Sequence, residues 1–209
     1  MRVPRAELRA LARRDPALGA WLKRVPPLPD FPRGTYARCT HYQALARSIC
    51  FQQLSGKAAE TIWGRACGLG SGGRFPSAAE LLRLEEDALR AVGLSRNKGL
   101  ALRDLAERCE DGRLRLRSIG RKPDAEVIEE LVQVRGIGVW TAQMFLMFKL
   151  GRLDVLAPAD LGLQEGMKRL DGLRERPSAA QLEERGEVWG PLRSVASWTL
   201  WRLLEVEES

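Results

Sequence analysis

From Tyr42 to Glu205, apolar residues return at intervals of three and four, and nowhere do they alternate in the two-residue rhythm of a strand. Tyr42, Leu45, Ala46, Ile49 and Cys50 set the pattern. Such spacing gives each segment one apolar stripe, and stripes without sheets can only be buried against other helices. The fold class expected is therefore all-α. Helices are predicted over 42–53, from a Ser55 cap to Cys67, from Ser77 (with Glu80 completing a capping box), over 85–92 closed by Gly93, and over 95–108. Further helices are predicted over 123–134 with Pro123 in the first turn, 139–150, 160–170, 178–185 and 189–205. Residues 68–77 read as a Gly/Ser/Pro loop, and 151–160 as a turn with one short extended piece.

The chain has 209 residues, 44% hydrophobic and 29% charged, enough to bury a core in one large domain or two small, closely packed ones. No apolar run reaches the roughly 18 residues of a membrane span. The N-terminal stretch mixes arginines with Glu7 and Asp15, which suits neither a secretory signal nor a transit peptide. A cytoplasmic protein is expected, nucleoid-associated in a prokaryote or nuclear in a eukaryote. Lys and Arg number 34 against 27 Asp and Glu, a net charge of +7, and all but six of the bases are arginine. That excess favours a polyanionic partner, nucleic acid first among them. Cys39, Cys50, Cys67 and Cys109 are widely spaced and His41 is the sole histidine, so neither a zinc site nor an iron–sulfur cluster is expected. His41 has no evident triad partner and reads as a surface or capping residue.

The most informative segment is LVQVRGIGVWTA, residues 131–142. One helix ends near Val134, Gly136 and Gly138 flank Ile137, and another apolar helix starts at once. Glycines at this spacing allow a tight turn and close approach of a ligand to the backbone. The first amides of the following helix then offer unpaired N–H groups and partial positive charge, which suits a phosphate. Arg135, Gly136, Gly138 and Thr141 are the candidate phosphate-binding residues. A looser echo, with Gly93 in the turn, lies over 81–106.

This hairpin resembles the helix-hairpin-helix motif of DNA repair proteins, and other segments resemble the helix-hairpin-helix DNA glycosylase superfamily in the same order. They are YQALARSICFQQLSGKAAETI (42–62), VGLSRNKGLALRDLA (92–106), DVLAPADLGLQEG (154–166) and VWGPLRSVASWTLWR (188–202). The last is similar to the C-terminal helix of the 3-methyladenine DNA glycosylase II branch. The resemblance implies two helical subdomains with the active-site cleft between them, in one domain over 1–209. Residues 1–34 would be an N-terminal extension and Pro-rich linker, about 40–120 a first lobe, about 121–170 the hairpin and catalytic loop, and 171–209 the C-terminal helices.

The implied activity is base excision repair: flipping an alkylated base such as 3-methyladenine out of damaged double-stranded DNA and hydrolysing its N-glycosidic bond. Asp160 matches the family's catalytic aspartate, and as a helix N-cap it has a second reading; Asp154 is expected to brace the loop. Trp140 stands where strand-cleaving members carry a Schiff-base lysine, which implies base removal without lyase activity. Trp140, Met144 and Trp201 are the implied base-pocket residues, Trp201 as the ring that stacks on a cationic base. Gln53 matches the side chain that fills the gap left by the flipped nucleotide, ahead of Gln52. In this family the hairpin carbonyls, here Val132, Val134 and Ile137, can hold Na⁺ or K⁺; no other metal or cofactor is expected, and the protein is expected to be a monomer. Two alternatives stay open: a non-catalytic helix-hairpin-helix DNA-binding module, and a glycosylase for a deaminated or mismatched base.

Overall fold

A computed structural model of the chain describes residues 3–206, and no strand occurs among them. The α-helices are α1 (Arg5–Arg14), α2 (Pro16–Trp21), α3 (Thr35–Arg38), α4 (His41–Phe51), α5 (Gly56–Cys67), α6 (Ala78–Arg83) and α7 (Glu86–Ala91). They continue as α8 (Arg96–Glu110), α9 (Asp124–Leu131), α10 (Val139–Phe148), α11 (Leu161–Asp171), α12 (Ala179–Arg185) and α13 (Arg193–Leu203). No described helix is long and apolar enough to cross a membrane.

Side-chain caps set several helix starts. Ser77 and Glu80 close a capping box on α6, and Ser178 and Gln181 close one on α12. Thr40 and Gln43 do the same for α4. Ser55 takes the N-cap position of α5 without a side-chain bond. Pro123 lies one residue earlier than expected: its ψ of 150° is extended, so it caps α9, and Asp124 and Glu126 supply the acidic first turn.

The helix predicted over 189–205 is broken. Trp189 ends a 3₁₀ turn (Gly186–Trp189), and α13 begins only at Arg193. Pro191 explains the break, since it has no N–H to donate and its ring obstructs the carbonyl four residues back. Trp189 is accordingly a core residue, fully buried, rather than a neighbour of Trp198 and Trp201 on one helix.

The chain divides into two compact units. One joins residues 1–33 to 146–209; the other is residues 34–145, and the boundary falls inside α10. The first unit is held by residues far apart in sequence. Asp15, 3% exposed, accepts from the amide of Leu18 (3.0 Å) and the indole N–H of Trp189 (2.7 Å), and pairs with Arg185 at 2.7 Å. Burial pushes its pKa up, but these donors outweigh it and hold the carboxyl below the ordinary range. Arg14 donates to the carbonyls of Val188 (2.9 Å) and Gly190 (2.8 Å). The Pro-rich stretch is packed rather than a free linker: Trp198 donates to the Pro26 carbonyl at 2.9 Å, and Phe31 meets the rings of Phe148 and Trp198 edge-on. α11 and α13 pack so closely that a Cβ on Gly166 would lie 2.8 Å from that of Leu200.

In the second unit, α4, α5, α6 and α8 bury Leu45, Ile49, Leu81, Leu102 and Leu105. His41 bonds the Leu116 carbonyl through Nδ1 at 2.6 Å and meets Phe145 edge-on, a structural role.

Candidate functional site

The hairpin between α9 and α10 is built by short-range bonds. The amide of Val134 donates to the Leu131 carbonyl (3.1 Å) and that of Ile137 to the Val134 carbonyl (3.0 Å). Gly136 has φ +77°, the left-handed region that favours glycine. Val134 and Ile137 are buried, 1% and 3% exposed, and pin the turn to the core. Arg135, Gly136, Gly138, Val139 and Trp140 are exposed. Thr141 is only 5% exposed, which disfavours its hydroxyl as a phosphate contact. The two glycines differ: a Cβ on Gly136 would meet Ala101 at 3.3 Å, whereas one on Gly138 would meet nothing within 4 Å. No neighbouring atom of the protein therefore excludes a side chain at 138.

The echo is present in the backbone. Gly93 has φ +99°, Leu94 is buried like Ile137, and Ser95 stands at the place of Gly138, accepting from the Lys98 amide as the cap of α8.

The loop between α4 and α5 lies beside the hairpin in the same unit. Gln52 donates through Nε2 to the Gly136 carbonyl at 2.8 Å. Gln53 is exposed at φ +55°, the one positive-φ residue besides glycine among those described. Holding a side-chain-bearing residue there costs on the order of 1–2 kcal/mol, and such strain collects at functional sites. Lys98 donates from Nζ to the Cys50 carbonyl at 2.8 Å. Burial pushes the Cys50 thiol up to about 12, so it is no nucleophile near neutral pH.

Asp160 lies in the other unit, at the N-cap of α11. Its Oδ1 accepts from the Leu163 amide (2.8 Å) and from the indole N–H of Trp201 (3.0 Å). Capping and a chemical role for this half-buried carboxylate are thus compatible: the bonds fix it at the helix start. Gly162 makes room for the pair, since a Cβ there would stand 3.0 Å from Asp160 Oδ1 and 3.1 Å from Trp201. Trp201 also lies 5.9 Å from Phe148, ring to ring. Asp154 is tied to Arg193, accepting from its amide (3.2 Å) and its guanidinium (2.9 Å), which makes it a brace for the loop.

Of the sequence-derived site residues, the structure joins Asp160 to Trp201 in one unit and the Gln52–Gln53 loop to the hairpin in the other. Trp140 is 45% exposed and Met144 9%, both within the hairpin's unit. Sequence reasoning missed Asp104, whose Oδ2 accepts from the Arg135 amide at 2.7 Å. It also missed the space at Gly162. An acid four residues before Arg108 was the only local sign of Asp104, and it marks any helix salt bridge equally well. A cavity of about 840 Å³ lies elsewhere, over Tyr42, Phe75, Glu110 and Arg115, and contains none of the expected site residues.

A family model described as HhH-GPD superfamily base excision DNA repair protein matches residues 46–191. The chain is 34% identical over 162 residues to DNA-3-methyladenine glycosylase 1 of Schizosaccharomyces pombe, covering 77% of this chain and 71% of the relative. The solved 3-methyladenine DNA glycosylase of S. pombe, in complex with abasic DNA, superposes with a TM-score of 0.84 at 29% identity, over 96% of this chain and 97% of that one. A DNA-3-methyladenine glycosidase from Bacillus halodurans gives a TM-score of 0.81 at 37% identity, over 93% of this chain and 87% of that one.

Proposed function

The chain belongs to the HhH-GPD superfamily of base excision DNA repair proteins, and on that footing we propose that it is a monofunctional DNA glycosylase of the 3-methyladenine II type. Its substrate is double-stranded DNA carrying alkylated bases. The observation that carries the reading is the Asp160 carboxylate held by Trp201 on the start of α11.

In the proposed reaction, the N-glycosidic bond breaks and the base leaves with the bonding electrons. Water adds to the sugar carbon and loses a proton. A purine alkylated on a ring nitrogen carries positive charge and departs neutral, so its leaving needs no general acid. The developing charge is on the sugar, and a carboxylate stabilises it and orients the water. Asp160 is suited to that role because its donors fix the carboxylate group in place. The electron-rich face of Trp201 suits a cationic base.

Trp140 offers no amine for a Schiff base, so the strand is left intact at an abasic site. The exposed hairpin residues Arg135, Gly136 and Gly138 seat a backbone phosphate in this reading, and Gln53 fills the gap left by the flipped nucleotide. The carbonyls of Val132, Val134 and Ile137 would offer uncharged oxygens to a monovalent cation, that of Val134 through the lone pair not used by the Ile137 amide. There a bound Na⁺ or K⁺ would add positive charge beside the phosphate.

The test is release of bases from methylated duplex DNA by wild-type protein and by Asp160→Asn. Asparagine keeps the size and capping ability but removes the charge. Base release should fall by roughly 10²-fold or more while lesion-DNA binding persists. The wild-type product should break only in hot alkali, and borohydride should trap no covalent adduct. An active Asp160→Asn removes the catalytic assignment, and a trapped adduct removes the monofunctional one.

A further inference from the structure

Three contacts on one stripe of α8 converge on the end of α4 and on the hairpin, both in the second unit. Lys98 reaches the Cys50 carbonyl in the last turn of α4, at 2.8 Å. Ala101 sits beneath Gly136, 3.3 Å from where a Cβ would be. Asp104 accepts from the Arg135 amide at 2.7 Å and is itself held by Arg108 Nε, 3.0 Å from each carboxylate oxygen. Residues three apart lie along one helix face, and 98 to 104 spans about 9 Å at 1.5 Å per residue. The α4–α5 loop and the hairpin therefore rest on one rigid ruler. They are also joined directly, by the 2.8 Å bond from Gln52 Nε2 to the Gly136 carbonyl.

That bond has a particular geometry. Gln52 precedes the strained Gln53, and Gly136 is the left-handed residue of the hairpin turn. A shift of the hairpin is thus transmitted to the residue beside the loop tip. Gln52 ends α4 with an extended ψ of 135°, and Gln53 follows at positive φ, so the backbone turns sharply where the strut attaches.

We propose that Gln52 is a positioning residue that sets Gln53 at a fixed height above the phosphate-binding hairpin, so that seating of the phosphate and filling of the gap occur in register. This rests on the reading of Gln53 as the gap-filling side chain. Gln52 acts through Gln53 and the Gly136 carbonyl, not on the reacting atoms. Its loss leaves the hairpin able to bind phosphate, since Asp104 and Ala101 still hold the turn, but lets the loop tip drift.

The test compares affinity for a duplex containing a tetrahydrofuran abasic analogue with affinity for the same duplex intact, in wild type, Gln52→Met, Gln53→Ala and the double variant. Methionine keeps the length of Gln52 and removes its donor. In Gln52→Met the preference for the abasic duplex should fall about threefold to tenfold, the range of one net hydrogen bond. Affinity for intact duplex should stay within about twofold. The double variant should show no further loss beyond Gln53→Ala, because a residue acting through another contributes nothing once that other is gone. Equal weakening on both duplexes, or additive losses in the double variant, would overturn the assignment. An unchanged preference in Gln52→Met would sink this inference alone. A wild type that shows no preference and releases no base removes the underlying reading as well. The melting temperature of each variant, expected within about 2 °C of wild type for loss of one half-exposed bond, separates misfolding from misplacement.

Discussion

Gly138 can be replaced by serine with opposite consequences for the protein and for its ligand. A side chain at 138 meets nothing within 4 Å and needs no unusual backbone angle. The residue immediately precedes α10, and its carbonyl accepts from the Ala142 amide at 3.1 Å, which makes it the N-cap. In the echo hairpin, serine already occupies the equivalent place and caps α8. Serine at an N-cap is more favourable than glycine by a few tenths of a kcal/mol. Gly138→Ser should therefore raise the melting temperature by about 1 °C for a chain of this size. Binding should move the other way. The new hydroxyl would compete for an amide otherwise offered to phosphate, and the new Cβ would stand in the phosphate's path. Loss of one hydrogen bond to a charged group is worth about 1.5–3 kcal/mol, or roughly 10- to 100-fold in affinity. Fluorescence anisotropy with an abasic-analogue duplex at fixed salt, alongside scanning calorimetry, reads both quantities. Higher stability with unchanged affinity would refute the hairpin as the phosphate site. Gly136→Ser is the contrast: at φ +77° with Ala101 3.3 Å away, it should lose about 1–2 kcal/mol of stability before any DNA is added.

Gly162→Ala should slow base release about 10- to 100-fold under single-turnover conditions by prying Trp201 from Asp160, while helix propensity keeps the melting temperature level or slightly higher; full activity would show that the Trp201–Asp160 bond is dispensable. Asp15→Ala strands the Trp189 indole and one side of Arg185, and should cost about 3 kcal/mol or more in denaturant titration. Because the folded-state pKa of Asp15 is depressed, its contribution is full above the unfolded carboxyl value of 3.8 and is lost as pH falls through the folded value. Melting temperatures taken from about pH 5 down to about pH 2 should therefore converge for wild type and Asp15→Ala, and parallel curves would contradict this. Affinity for duplex DNA should fall linearly in log–log form as salt rises, given the net charge of +7, and a flat titration would argue against phosphate contacts.

What the sequence made legible was local. Capping at Ser77, the helix starts near Ser95 and Ser178, the Gly136 turn and the N-cap position of Asp160 all follow from rules acting over three or four residues. The break before α13 was legible too, in the Gly190–Pro191 pair, but the apolar spacing around it reads straight through. Contacts that span the chain left no such trace. Trp189 looked like one more aromatic on a helix until Asp15, 174 residues away, gave its indole a partner. Gln52 and Gln53 are neighbours of identical type, and no local rule foretells that Gln52 bonds Gly136, 84 residues on. The room at Gly162 depends on where Trp201 falls, which no spacing within α11 encodes.

The unit assembled from both ends of the chain has a consequence for synthesis. Residues 34–145 are continuous and can close their core while translation is still under way. The other unit must wait: Asp15 is made 174 residues before its partner Trp189, and Arg185 too emerges only after residues 34–145 are complete. A nascent protein therefore carries the hairpin and the Gln53 loop before it has Asp160 or Trp201. The loops proposed to hold DNA are thus made before the carboxylate proposed to act on the sugar is fixed in place.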